Sequence, residues 1–313
     1  MTTETSPTVE IVEVAPRDGL QNEQVHVSTA VKAELVRQAL AAGLRRMEVT
    51  SFVNPQRVPQ MADAEALMQD VRTYPGLTAI GLAMNRRGFD RAVAAGCDEV
   101  NMVVVASESL SRRNQGMATA DSIAIIREVA AAAREVGTPI SVTIAASFGC
   151  PFEGEVPEGR VLAILEEVLP LAPLEIAFAD TIGCGVPSQV GSLVRQARAL
   201  APGMRLRCHF HNTRNTGLAN VAAAVEAGAR TIDASLGGTG GCPFAPGATG
   251  NVATEDVAWM LHRMGISTGV DLEEAVETAK WLSDALGKPM AGGVAKAGLF
   301  PKEAALGGCV AVA

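Results

Sequence analysis

Two histidines one residue apart, in Cys208-His209-Phe210-His211, close an apolar run two-thirds of the way along the chain. Side chains at i and i+2 of a strand share a face, so two neutral imidazoles at that spacing can chelate one ion. A His-x-His pair by itself reads more readily as two ordinary hydrogen-bonded imidazoles, and other segments turn the balance toward a metal. Near the start, Pro16-Arg17-Asp18-Gly19 offers a carboxylate with a guanidinium beside it, and a glycine-rich stretch over 237–251 ends in Asn251. Asp18 adds a charged oxygen to the pair and Asn251 a neutral one. Two nitrogens with two oxygens make a mixed, open set. It suits Mg2+, Mn2+ or Fe2+ better than a closed structural Zn2+ site, which favours thiolates. Remaining positions on such an ion go to water or substrate. Arg17 beside it can stabilise negative charge that develops on a carbonyl oxygen.

Three further residues belong to this chemistry. Glu48, inside Met47-Glu48-Val49-Thr50, is a carboxylate in an apolar run and needs a partner, either Arg17 or a metal-bound water. Asp180, in Phe178-Ala179-Asp180-Thr181, is placed to accept a hydrogen bond from substrate or ligand. Cys242 sits among the glycines of a stretch that can close over a substrate and exclude water. A thiol there is a candidate proton carrier, and a spacer cysteine is the plainer alternative. No Lys-Ser/Thr follows the glycines, which excludes a Walker-A phosphate loop. His26 and His262 lack such partners and read as surface or loop residues.

Side chains so far apart in sequence need a scaffold that gathers them. Short β-branched runs alternate with alanine- and leucine-rich stretches of helical period. The pattern predicts strands over 9–14, 46–50, 78–82, 99–105, 141–146, 174–178, 206–211 and 231–235. Helices follow over 29–42, 61–71, 87–95, 121–136, 158–169, 188–200, 215–227 and 254–264, several ending at a glycine such as Gly43, Gly96 or Gly228. Eight such units point to an α/β fold, a (β/α)8 TIM barrel. The dinucleotide fingerprint of the rival doubly wound sheet is missing after the first strand. In a barrel, catalytic residues sit at the carboxyl ends of strands, and strands one, seven and eight adjoin on closure. That would bring Asp18, the two histidines and Asn251 to one mouth. No linker divides the chain, so one catalytic domain over 1–313 is expected, with 267–313 as a C-terminal helical extension.

The bulk numbers agree with an enzyme. A net charge of −8, from 26 basic and 34 acidic residues, argues against a nucleic-acid surface. No apolar run reaches the roughly 20 residues that span a membrane, and the first residues lack signal- or transit-peptide character. A soluble cytoplasmic protein with six reduced cysteines is expected. No lysine ends a predicted strand, which disfavours a Schiff-base aldolase.

At this point the chain resembles the 3-hydroxy-3-methylglutaryl-coenzyme A lyase family, within a wider superfamily of metal-dependent lyases and condensing barrels. The likeness runs through Pro16-Arg-Asp-Gly-Leu-Gln-Asn-Glu23, Ser51-Phe-Val, Val58-Pro-Gln-Met-Ala-Asp63, Ala106-Ser-Glu-Ser and Phe148-Gly-Cys-Pro-Phe-Glu-Gly-Glu-Val156. It continues through Asp180-Thr-Ile-Gly183, Gly240-Gly-Cys-Pro-Phe244 and Gly250-Asn-Val-Ala-Thr-Glu-Asp256. The resemblance implies Mg2+ or Mn2+ held by Asp18, His209, His211 and Asn251. It also implies Arg17 on the thioester oxygen, Cys242 as proton carrier, Glu48 and Asp180 completing the pocket, and a catalytic part for His209. The implied reaction is a retro-Claisen cleavage of an acyl-coenzyme A substrate to acetoacetate and acetyl-coenzyme A, in a homodimer. Three departures leave the acyl group open. Asn212 and Asn215 follow the second histidine where the lyases usually read His-Asp-Thr and then Tyr-Gly or Arg-Gly. Asn54 and Gln56 replace the usual Ser and Lys, and Arg207 points into the barrel where the family places a small residue. A buried arginine must be paired, and Glu13 is the expected partner. Citramalyl-coenzyme A, a longer branched thioester, or condensation by an isopropylmalate-synthase-like relative are the alternatives. The condensing enzymes usually carry a further regulatory domain.

Overall fold

The alternation of strand and helix resolves into eight parallel strands, β1 (Glu10–Glu13), β2 (Arg46–Ser51), β3 (Thr78–Ala83), β4 (Glu99–Val105), β5 (Ile140–Ala145), β6 (Glu175–Asp180), β7 (Arg205–Phe210) and β8 (Thr231–Ala234). They form one closed barrel in chain order, with β8 paired to β1. The structure is a computed structural model that describes residues 8–241 and 250–300. Parallel neighbours require a crossover. Here the crossovers are α1 (Thr29–Ala41), α2 (Ala64–Val71), α3 (Arg86–Ala95), α4 (Thr119–Val136), α5 (Glu158–Val168), α6 (Pro187–Leu200) and α7 (Gly217–Ala227), and α8 (Thr254–Arg263) follows β8. A ninth helix, α9 (Leu272–Leu286), packs against α1 and continues the chain beyond the barrel. Among the described residues, no helix is long and apolar enough to cross a membrane.

The period of the strands separates two interiors. In β2 the outward residues Met47 and Val49 are fully buried in the apolar layer beneath the helices. Each such side chain contributes about 1.5–3 kcal/mol by leaving water. The alternate residues Arg46 and Glu48 turn inward and meet partners across the barrel. The inside of this barrel is therefore largely polar, and each inward charge must find a counter-charge.

Expected elements and observed ones differ at their ends. The helix expected from residue 61 starts at Ala64, because Pro59–Met61 forms a separate 3-10 turn. A short helix over Glu108–Asn114 was not expected. Its sequence has too little apolar period to register, and Ser107 caps it by accepting a hydrogen bond from Leu110 N at 3.3 Å. The glycines expected to stop helices, Gly43, Gly96 and Gly228, all take positive φ.

Candidate active site

The carboxyl ends of β1, β7 and β8 meet at one edge of the barrel mouth. Past β1 the chain makes a single π-helical turn over Ala15–Gly19, closed by Gly19 N donating to Val14 O at 3.1 Å. That turn carries Arg17 and Asp18. His209 lies within β7 and His211 just beyond it, with ring centroids 5.1 Å apart. Asn251 is set against His211 by an antiparallel bridge, with Val252 N donating to Phe210 O at 3.1 Å and Asn212 N to Gly250 O at 2.9 Å. Close approach of the glycine-rich segment makes this possible. A Cβ on Gly240 would fall 2.5 Å from Asn251 Nδ2, and its φ of +117° suits glycine.

Asp18, His209 and His211 each turn one ligand atom to a common point, all within 4.8 Å of one another. Asp18 Oδ2 stands 4.0 Å from His209 Nε2 and 3.9 Å from His211 Nε2, too long for hydrogen bonds. Two ligands about 2.1 Å from one ion can span such a gap. Asn251 donates its amide nitrogen to Asp18 Oδ2 at 2.9 Å and to Thr239 O at 3.0 Å, while its buried Oδ1 has no partner. An orphaned carbonyl oxygen beside three converging ligand atoms is what a hard or borderline divalent cation requires.

The electrostatics suit the same occupant. Burial alone would raise the Asp18 pKa, but Arg17 and the two imidazoles hold it well below the ordinary range. Asp18 is thus anionic near neutral pH. Burial and the neighbouring His209 push His211 down to about 4, so its ring stays neutral. His209 moves upward despite its burial, because Asp233 and Asp18 favour its charged form. Asp233 Oδ2 lies 3.2 Å from His209 Nδ1.

Arg17 is clamped from both sides. Its Nε donates to Glu48 Oε2 at 2.7 Å, its Nη2 reaches the same oxygen, and its Nη1 donates to Asp18 Oδ1 at 2.6 Å. The partner expected for Glu48 is therefore present. Asp180 is buried, and both oxygens accept backbone amides, from Cys184 at 2.9 Å and Gly185 at 3.0 Å. Burial raises its pKa despite those bonds. Cys242 lies outside the described residues. Before it, Asn22 Nδ2 donates to Gly241 O at 2.9 Å, tying the β1 turn to the glycine-rich segment.

A family model described as HMGL-like matches residues 8–282. The chain belongs to the HMGL-like family. Among the relatives of this HMGL-like chain, a Chloroflexus aurantiacus protein named (R)-citramalyl-CoA lyase is 43% identical, over 94% of this chain and 96% of its own length. A Bacillus subtilis hydroxymethylglutaryl-CoA lyase is 38% identical, over 90% and 94% respectively. The structure of an HMG-CoA lyase from Acinetobacter baumannii, solved with coenzyme A and 3-methylmalate, superposes with a TM-score of 0.92 at 40% identity. The match covers 96% of this chain and 98% of that one.

The departures of this HMGL-like chain now have places. Asn212 Oδ1 accepts from Gly217 N at 3.0 Å at the start of α7, a bond that an aspartate could make equally well. Asn215 takes a left-handed φ of 58°, which asparagine tolerates better than most residues. Asn54 is exposed and accepts from Gln56 N at 2.9 Å in a turn. The partner expected for Arg207 is corrected. Glu13 is instead occupied by Ala15 N (2.8 Å), Leu236 N (3.0 Å) and Thr254 Oγ1 (2.6 Å). Arg207 pairs with Asp233 and Glu175, because β7 lies between β6 and β8 and not beside β1. His26 is exposed, as expected, whereas His262 is half-buried in α8 with Nε2 2.7 Å from Thr268 Oγ1.

Sequence reasoning passed over Asp233 and Asn101. Asp233 pairs in register with His209, and Asn101 Nδ2 donates to the second Glu48 oxygen at 2.9 Å. The signal that singled out Glu48, a polar side chain inside an apolar strand, applied to both.

Proposed function

We propose that this chain is a divalent-metal-dependent carbon–carbon lyase that cleaves (S)-3-hydroxy-3-methylglutaryl-coenzyme A to acetoacetate and acetyl-coenzyme A. The observation that carries the reading is the convergence of Asp18, His209, His211 and the orphaned Asn251 oxygen beside a clamped arginine. The family and the named relatives agree with it. Those four residues would hold Mg2+ or Mn2+, which when bound supplies Lewis-acid stabilisation of negative charge on substrate oxygens. Arg17 can still meet a thioester oxygen, since Glu48 and Asp18 fix its plane without discharging it. In the cleavage a base at the mouth takes the substrate's hydroxyl proton, the carbonyl of acetoacetate forms, and the bond between C2 and C3 breaks. The electron pair of that bond becomes the enolate of acetyl-coenzyme A. Cys242, assigned from sequence alone, returns a proton to the enolate carbon.

A second reading is favoured by the 43% identity to a protein named (R)-citramalyl-CoA lyase. Citramalyl-coenzyme A is shorter by one methylene and would yield pyruvate in place of acetoacetate. One methylene is worth only about 1–3 kcal/mol of discrimination in a pocket, so the same machinery serves either acid. The test is release of acetyl-coenzyme A from the 3-hydroxy-3-methylglutaryl thioester and both citramalyl enantiomers. It is run on chelated protein and again after Mg2+ or Mn2+ is restored. We expect cleavage of the six-carbon acid to be fastest, lost on chelation and regained with metal. Faster cleavage of a citramalyl thioester would select the second reading. No acetyl-coenzyme A from any of the three would overturn both.

A further inference from the structure

We propose that Arg207 and Asp233 are positioning residues that fix the ring of His209 for metal binding. The proposal rests on the metal-centre reading above and extends it beneath the mouth. Both side chains project inside the barrel and are buried, Arg207 at 1% and Asp233 at 6% exposure. Asp233 divides its two oxygens between different neighbours. Oδ2 lies 3.2 Å from His209 Nδ1, and Oδ1 lies 3.5 Å from Arg207 Nε. The same Nε is 3.6 Å from Glu175 Oε2 at the barrel floor, and Arg207 Nη2 donates to Thr143 Oγ1 at 3.5 Å. Arg207 is thereby held between the floor and the layer directly under the metal ligands.

A neutral imidazole has one N–H and one lone pair. A carboxylate at Nδ1 takes the N–H, which leaves the lone pair on Nε2, the nitrogen that faces Asp18. Without a charge behind it, Asp233 would be a buried carboxylate with one idle oxygen, free to turn away from the ring. Arg207 supplies that charge as an ion pair at 3.5 Å, without a hydrogen bond to the oxygen.

The same arginine links to the other half of the site. Thr143 Oγ1 donates to Asn101 Oδ1 at 3.0 Å, Asn101 donates to Glu48, and Glu48 holds Arg17, which holds Asp18. One buried polar frame therefore sets both the metal-facing histidine and the substrate-facing arginine. His211 differs, because its Nδ1 is buried with no hydrogen-bond partner among the described residues.

The experiment titrates Mn2+ alone into the metal-stripped full chain and reads free ion by electron paramagnetic resonance. Asp233→Asn, Arg207→Met and Arg207→Lys are compared with the parent, and His211→Ala serves as control. Asp233→Asn keeps the shape of the side chain, so it decides the matter even if an arginine variant fails to fold. We expect Asp233→Asn to weaken Mn2+ binding about 10–100-fold with an unchanged far-ultraviolet circular dichroism spectrum. Arg207→Met should weaken it about tenfold, and Arg207→Lys should regain most of that loss. A purely structural role would lower the melting temperature and leave Mn2+ affinity alone. Mn2+ affinity within twofold of the parent in folded Asp233→Asn, while His211→Ala loses the ion, overturns this proposal only. Full affinity in His211→Ala as well overturns the metal-centre reading beneath it.

Discussion

The two ends of this barrel use the same kinds of side chain to opposite effect. At the floor, the even strands β2, β4, β6 and β8 begin with Arg46, Glu99, Glu175 and Thr231, a layer of four from alternate strands. Arg46 makes three hydrogen bonds to Glu99, at 2.7, 2.8 and 3.0 Å, reaches Glu175 at 2.9 Å, and meets Glu10 at 3.2 Å, while Thr231 donates to Glu175 at 2.7 Å. Each charge there meets an opposite charge at contact distance, although Glu175 Oε2 accepts no hydrogen bond. At the mouth, Asp18, His209 and His211 face one point at separations too long for bonds, and the Asn251 carbonyl is idle. Opposite charges in contact mark a plug, and lone pairs converging on one point mark a site. Burial alone does not separate them, since both sets are largely withdrawn from water.

Substitutions at the two ends should separate along the same line. The largest effect is expected from His211→Ala, which should lower Mn2+ affinity by at least about a hundredfold and abolish turnover, with little change in melting temperature. Next is Arg17→Gln, which should lower kcat about 10²–10³-fold and leave Mn2+ binding near that of the parent. Arg46→Ala should do the reverse. It strands two buried carboxylates, costs about 3–5 kcal/mol, and should lower the melting temperature by about 10 °C, while the folded protein still binds Mn2+. An Arg46→Ala protein with normal stability would erase the distinction drawn here.

The smallest effect concerns Glu255, at the root of the glycine-rich segment. It is fully buried, accepts a hydrogen bond from Gly237 N at 3.1 Å, and leaves Oε1 without a partner. Burial raises its pKa from 4.5 to about 8. A carboxyl raised on folding prefers the folded state when protonated. Its contribution is complete below pH 4.5, declines as pH rises, and is gone above about pH 8. The melting temperature of the parent should therefore fall between pH 5 and 9 relative to Glu255→Gln. Parallel curves for the two proteins would show that Glu255 does not titrate as described.

Much of this was legible in the residues themselves. Strand–helix alternation gave the barrel, and barrel closure put residues 18, 209, 211 and 251 at or just past the carboxyl ends of adjoining strands. Glu48 announced its need for a partner by being charged within an apolar run. The partner of Arg207 was not legible in the same way. Parity along β7 says that the side chain points inward, but choosing among inward acids needs the register of neighbouring strands, and that register pairs Arg207 with Thr231 and Asp233 with His209. The π-helical turn that aims Arg17 and Asp18 was hidden for a related reason. It follows from contacts with β1 and the glycine-rich segment, not from local propensity.

The most direct measurement is a crystal structure of Mn2+-soaked protein with anomalous diffraction at the manganese edge. One strong peak is expected, bonded to Asp18 Oδ2, both imidazole Nε2 atoms and Asn251 Oδ1, with the Asn251 amide unchanged in orientation. A manganese peak elsewhere, or none at this mouth at saturating Mn2+, would contradict the assignment on which the function rests.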